Sequence, residues 1–253
     1  MAPNTVYLVT GGNRGIGFGL TGALLLRPNT TVIATVRTDK TSKDTLLALP
    51  LAEGSNLIIT YLDVDVVKTQ YESLERSTQE VYRALTTAYK VTKIDTIICN
   101  AGIGSSFRPS LSTTYSSLLT HFQVNTLGPI SLFQSLYPLL SPNSKFILIS
   151  SVLGSIGAMD GQEPSLAYGV SKAGANYFVR KVHFENEGVT TLAVHPGWVK
   201  TENGQNFADS IGVEEPPMSL EDSVKGVLEQ IDAATKSTTS GSFVSYDGTV
   251  IPW

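Results

Sequence analysis

One cysteine, Cys99, stands among 253 residues, so no disulfide can form within the chain. Histidine is nearly as scarce. The three present, His121, His183 and His195, have no metal-ligand spacing, and the expectation is a protein without a metal. Positive charge is not in surplus: 18 Lys and Arg against 22 Asp and Glu give a net charge of −4, with no basic field for nucleic acid. Long apolar runs are missing, none approaching the ~20 residues of a membrane helix. The start, Met1-Ala2-Pro3-Asn4, lacks the basic n-region of a signal peptide. These absences point to a soluble, cytoplasmic protein with neither nucleic-acid nor membrane partners.

What is present is alternation. Short runs rich in Val, Ile, Leu and Thr read as strands at 6–9, 31–36, 57–62, 95–99, 145–149, 190–194 and 242–245. They lack a polar face, as strands covered on both sides do. Between them, helices are expected at 16–26, 69–90, 115–140, 166–187 and 220–235, with Ser165 as a cap. Strand alternating with helix implies right-handed crossovers and an α/β fold. The expectation is a single Rossmann domain over 1–253: a doubly wound, mostly parallel seven-stranded sheet with helices on both faces.

The first strand runs into Val9-Thr10-Gly11-Gly12-Asn13-Arg14-Gly15-Ile16-Gly17 and then a helix. Glycines at such a turn let the backbone approach a pyrophosphate, whose charge rests on the helix N-terminus. A carboxylate about 20 residues on would mark a free ribose 2′-hydroxyl. Here the second strand ends instead in Arg37, with no acid before Asp39. A guanidinium grips a 2′-phosphate bidentately, so the residues favour NADP(H) over NAD(H). Arg14, within the glycine turn, is a second candidate clamp.

Tyr168 and Lys172 are four residues apart in a helical stretch and therefore share a face. An ammonium beside a phenol should lower its pKa and prepare a proton donor and acceptor. Four residues beyond Asn125, Pro129 has no N–H, so the carbonyl of Asn125 loses its helical partner.

Taken together, Thr10-Gly11-Gly12 with Gly15 and Gly17, Asn100-Ala101-Gly102, Ser151, Tyr168-x3-Lys172 and His195-Pro196-Gly197 resemble the short-chain dehydrogenase/reductase family, over essentially the whole chain. Gly241-x-Phe243, Asp247-Gly248 and Ile251-Pro252-Trp253 are similar to the branch of sniffer-type carbonyl reductases and fungal norsolorinic acid ketoreductase-like proteins. The resemblance implies an NADP-dependent oxidoreductase acting on a ketone, aldehyde or secondary alcohol. It implies a catalytic set of Asn125, Ser151, Tyr168 and Lys172, with Ser150 facing away. Ser151 and Tyr168 are 17 positions apart, a few more than is commonest in the family, and the extra residues near 157–164 would shape the substrate mouth. Coenzyme contacts are implied for Gly11, Asn13, Arg14, Gly15, Ile16, Gly17 and Arg37, and for Asp63 and Val64, with Asp63 on the adenine amino group. They continue through Asn100, Ala101, Gly102, Tyr168, Lys172, Pro196, Gly197, Val199 and Thr201, the last on the nicotinamide carboxamide. A homodimer or homotetramer is the family's usual assembly.

Residues 197–220 read as an irregular lid, and its Phe207, Ile211 and Met218 suggest an apolar, aromatic carbonyl compound. Cys99, the histidines and Trp253 read as packing residues. Two rivals stand beside the reductase: a regulator that binds NADP(H) without turnover, and an epimerase or dehydratase on the same fold, for which 253 residues leave little room.

Overall fold

The computed structural model describes residues 4–65, 72–159, 161 and 163–253; the start of the helix expected from Thr69 lies outside them. Elements follow one another as β1 (Thr5–Val9), α1 (Gly15–Leu25), β2 (Thr30–Val36), α2 (Asp44–Leu47), β3 (Asn56–Tyr61), α3 (Glu72–Thr87), β4 (Thr96–Cys99), α4 (Tyr115–Phe122), α5 (Gly128–Leu136), β5 (Lys145–Ile149), α6 (Leu166–Glu185), β6 (Thr190–His195), α7 (Glu202–Ile211), α8 (Leu220–Ala233) and β7 (Ser242–Ser245). The strands form one sheet in the order β3-β2-β1-β4-β5-β6-β7, every neighbouring pair parallel.

Strand side chains point alternately to the two faces, which explains why these strands carry apolar residues at consecutive positions. Val6 and Leu8 of β1, Ile97 and Cys99 of β4, and Phe146 and Leu148 of β5 pack with Val81, Leu132 and Val179 of α3, α5 and α6. Tyr7, Val9, Ile98, Ile147 and Ile149 face the other way, onto Leu20, Leu24, Val224 and Val227 of α1 and α8. Two lysines close helix C-termini that strands alone leave open. Lys236 Nζ donates to the carbonyls of His183, Asn186 and Val189 below α6. Lys145 Nζ does the same for Ile231 and Asp232 in α8. A cation there satisfies orphan carbonyls and opposes the negative end of the helix dipole.

The chain order reverses between β1 and β4, so their carboxyl ends diverge and open a crevice. The two ends are tied just beneath it. Thr10 Oγ1 accepts from the N–H groups of Asn100 (3.0 Å) and Ala101 (2.9 Å), and Asn100 Nδ2 donates to Thr10 O (2.9 Å).

Three expectations change. The helix expected over 115–140 is broken into α4, a π turn at Gln123–Leu127, α5 and a 3-10 turn at Tyr137–Leu139. Pro129 cannot donate to Asn125, and the ladder shifts register there: Gly128 N–H reaches Gln123 O, five residues back. The supposed irregular lid contains α7, whose N-cap Thr201 accepts from Gly204 N–H and whose C-cap Gly212 is left-handed at φ 72°. Ser165 does begin α6, but its side chain makes no capping bond, because its backbone (φ −118°, ψ 15°) has left the extended region a cap needs.

Candidate active site

The crevice opens into a cavity of about 1110 Å³ that runs from Arg37 at the end of β2 to Phe207 of α7. Its outer half is the glycine turn. Gly11 and Gly15 have φ of +65° and +53°, and Gly12 N–H is held on Thr35 O at 3.0 Å. Gly17 serves by closeness rather than conformation. A Cβ there would lie 2.3 Å from Gly11 O and 2.4 Å from Asn100 Nδ2, so only glycine lets α1 start against the turn. The first turn of α1 holds no acid, and no side chain caps it, which leaves its N–H groups free for an anion. Arg37 is exposed at the cavity's edge, without an ion pair among the described residues. Arg14, also exposed, is already paired with Glu202 at the start of α7.

The walls include most of the coenzyme residues read from the sequence: Asn13, Ile16, Val64, Asn100, Ala101, Gly102, Pro196, Gly197, Val199 and Thr201. Two do not reach it. Gly17 packs beneath the turn, as above. Asp63 turns its carboxylate to its own backbone, accepting from Asp65 N–H at 2.9 Å, and the cavity wall there is Leu62, Val64 and Asp65. An Asx turn of this kind was not visible in the spacing.

At the inner end sit Ser151, Tyr168 and Lys172. Ser151 is the N-cap of a short 3-10 turn, Val152–Gly154, and accepts from Leu153 N–H at 3.2 Å. Gly154 brings that turn against α6: a Cβ on it would lie 2.5 Å from Lys172 Cβ. Ser151 thereby lines the same cavity as Tyr168, near enough to lower the phenol's pKa. Ser150 points away and donates to Asn176 Oδ1 at 2.6 Å. Lys172 Nζ donates to Ile149 O at 2.9 Å and lies 5.7 Å from the centre of the Tyr168 ring. The side chain of Asn125, in the π turn beside α6, is fully engaged. Its Oδ1 accepts from Ile103 N–H, and its Nδ2 donates to Ile103 O and to Ser171 Oγ.

The electrostatics correct one expectation. The Tyr168 phenol is not lowered below its ordinary 10 in the free protein; the surrounding protein pushes it up to about 12, against a smaller lowering by Ser151. Burial likewise pulls Lys172 down from 10.5 to about 8. Sequence spacing revealed the neighbouring cation but not the desolvation, which dominates here. His195 also lines the cavity; burial pulls it down to about 4, and its neutral Nδ1 accepts from Val152 N–H at 3.3 Å.

Lys172 therefore costs stability. Its folded pKa lies below its unfolded value, so the cost is absent above 10.5, grows as pH falls and is complete once pH has passed below about 8. Replacing it with Met should raise the stability of the coenzyme-free protein by about 2 kcal/mol at pH 7, after losing the bond to Ile149. That is a Tm gain of roughly 4–8 °C. Thermal melts at pH 7 and pH 10.5 check this: the gain should vanish at the higher pH, and a variant that melts lower at pH 7 refutes it.

The remaining wall is aromatic. The rings of Phe107 and Tyr168 lie 5.4 Å apart, Phe107 and Phe207 5.1 Å, and Trp198 and Phe207 5.3 Å. Phe107 was not singled out by the sequence; it sits outside any helix or strand, in a stretch with no periodic signal. Among the described residues, no group of three or more His, Cys, Asp and Glu is placed to hold a metal ion, and no helix is long and apolar enough to cross a membrane.

Residues 5–211 match the family described as short chain dehydrogenase. The chain belongs to the short-chain dehydrogenases. This short-chain dehydrogenase is 40% identical over 255 residues to norsolorinic acid ketoreductase of Aspergillus parasiticus, covering 98% of this chain and 91% of that enzyme. It is 38% identical over 256 residues to the norsolorinic acid ketoreductase of Dothistroma septosporum, covering 98% of this chain and 92% of that enzyme. Among solved structures, NADPH-bound carbonyl reductase from chicken fatty liver matches with a TM-score of 0.83 at 28% identity, covering 99% of this chain and 100% of that one. The carbonyl reductase Sniffer of D. melanogaster matches at 0.81 and 25% identity, with the same coverage. The short-chain dehydrogenase is thus an oxidoreductase, similar to the ketoreductase and carbonyl reductase branch that its C-terminal residues resemble.

Proposed function

We propose that this short-chain dehydrogenase is an NADP(H)-dependent carbonyl reductase in which Tyr168 is the general acid and base. One observation carries the reading: Tyr168, Ser151 and Lys172 line the same cavity as the glycine turn and Arg37. The glycine turn and the free start of α1 fit a pyrophosphate, and Arg37 fits a 2′-phosphate. NADPH, when bound, supplies the hydride.

The chain's own groups do the rest. Ser151 and Tyr168 hydrogen-bond the substrate oxygen and polarise the carbonyl. As hydride adds to the carbon, the Tyr168 phenol gives its proton to the oxygen, leaving an alcohol and a phenolate. Lys172, held on Ile149 O, is placed to hold the ribose hydroxyls and to stabilise that phenolate. The backbone carbonyl of Asn125, in the π turn, is the proposed seat of a relay water through which the phenolate regains a proton. Pro196, Gly197, Val199 and Thr201 would border the nicotinamide, and Asn13, Ile16, Val64 and Asn100 to Gly102 the adenosine and phosphates. Phe107, Trp198 and Phe207 suit an apolar, aromatic ketone. Segment 197–220, with α7 in it, is the proposed lid, in a single domain spanning 1–253.

We also propose a homodimer. Tyr115, Leu119, Phe122, Tyr177 and Phe184 of α4 and α6 are exposed large apolar side chains on two helices that pack together. Light scattering at assay concentration tests it; a monomer refutes it.

The enzymatic reading is tested by following reduced-nicotinamide absorbance with NADPH and NADH over aromatic and aliphatic ketones and aldehydes. Faster turnover with NADPH, best on aromatic ketones, is the expected result. Tight NADPH binding with no turnover on any of them would favour a coenzyme-binding regulator. Absence of binding would remove the coenzyme assignment itself.

A further inference from the structure

The segment leaving β4 is extended, and its backbone is bonded from both sides by side chains. On one side, Ile103 N–H and C=O are taken by the amide of Asn125, and Ser105 N–H is taken by His121 Nε2 at 3.3 Å. On the other, Gly102 O and Gly104 N–H are taken by Asn203 of α7, and Gly104 O by Asn206 at 2.9 Å. Odd residues thus face α4 and the π turn, and even residues face α7, as alternation in an extended chain requires.

His121 is the least expected member of this arrangement. It is buried at 1% exposure and is four residues before Asn125 on the same helical edge. Its Nδ1 meets Ser117 O at 2.8 Å, one turn back in α4. A carbonyl can only accept, so Nδ1 carries the proton and Nε2 is the acceptor that Ser105 needs. Burial holds the ring in this neutral form. The same ring meets Tyr168 edge-on, with centroids 6.4 Å apart and planes at 89°. On another side of Tyr168 lies the segment that His121 tethers: a Cβ on Gly104 would be 3.5 Å from Tyr168 Cε2, and Phe107 packs on the ring.

We propose that His121 is a positioning residue of the reductase site: it fixes the 103–107 segment against Tyr168, and with it the aromatic wall that receives the ketone. The proposal rests on the reading of Tyr168 as the acid, but the tether itself does not. His121 touches neither substrate nor coenzyme and acts through Ser105, Phe107 and the face of Tyr168. Losing the acceptor would leave Ser105 N–H without its bond and free Phe107 to shift, a change felt most by a substrate that stacks on that wall.

The test compares His121→Phe, which keeps a ring of similar size but has no acceptor, with His121→Gln, whose Oε1 can replace Nε2. His121→Phe should lower kcat/KM for an aromatic ketone about tenfold, chiefly through KM, with NADPH binding within twofold of wild type. A small aliphatic aldehyde should be affected less than threefold, and His121→Gln should recover most of the loss. Equal loss on both substrates would mean general damage, and equal loss in both variants would mean that ring shape, not the acceptor, matters; either overturns the proposal. So would wild-type kinetics in His121→Phe. If wild type itself reduces no ketone, the reductase reading fails, and amide exchange of the 103–107 segment decides the tether alone. Faster exchange in His121→Phe but not in His121→Gln supports it, and unchanged exchange overturns it.

Discussion

Tyr168→Phe should bind NADPH within a fewfold of wild type and lose 10²- to 10⁴-fold in kcat, the usual worth of a positioned general acid. The ring would stay in place, because Phe107, Gly104 and His121 pack against its carbon framework, which the substitution keeps. The effect therefore belongs to the proton and not to the fold. The raised phenol sharpens this. With its pKa pushed up to about 12 in the free protein, Tyr168 is fully protonated across the neutral range. Ketone reduction should then vary little between pH 6 and 8, whereas alcohol oxidation, which needs the phenolate, should rise with pH. Single-turnover rates with fluorescence titration of NADPH separate the steps. Unchanged turnover in Tyr168→Phe would overturn the catalytic assignment.

Arg37→Asp should lower kcat/KM for NADPH by about 10²-fold and leave NADH equal or better. A charge-assisted bond to a phosphate contributes about 1.5–3 kcal/mol, and a carboxylate in its place adds repulsion. Arg37 is suited to this because it lines the cavity and spends no charge on an ion pair among the described residues. Arg14 is a weaker candidate, since a phosphate must compete with Glu202 for it. Measuring both coenzymes under one salt condition is essential, because exposed charges are screened. An unchanged NADPH/NADH ratio would remove Arg37 from the clamp.

The strands and the two motifs on them were legible because their signals are local. A strand covered on both faces needs consecutive apolar residues, and a backbone that must touch phosphate needs glycine, whatever the rest of the chain does. Residues whose meaning depends on tertiary contact were not legible. Asn203 and Asn206 lie in Glu202-Asn203-Gly204-Gln205-Asn206, where two Asn and a Gly outweigh Glu and Gln and the run reads as loop. Only the Thr201 cap and Gly212 mark α7, and they are easily taken for turn residues. His121 read as packing because nothing in sequence places it opposite Ser105. Pro129 foretold a break after Asn125, but not that the ladder would absorb it as a π turn. Asp63 follows β3 as expected, but nothing in the sequence showed that its Oδ1 would take the Asp65 N–H.

Loops ordinarily accept insertions with little penalty, since nothing reads their register. The segment after β4 is different, because Asn125 and His121 address its odd residues while Asn203 and Asn206 address its even ones. One residue added or removed at Gly104 would turn every amide beyond it toward the opposite neighbour, as a slipped strand does. Drift in length there should be confined to steps of two residues, which makes this short stretch as restrictive of insertions and deletions as the sheet that precedes it.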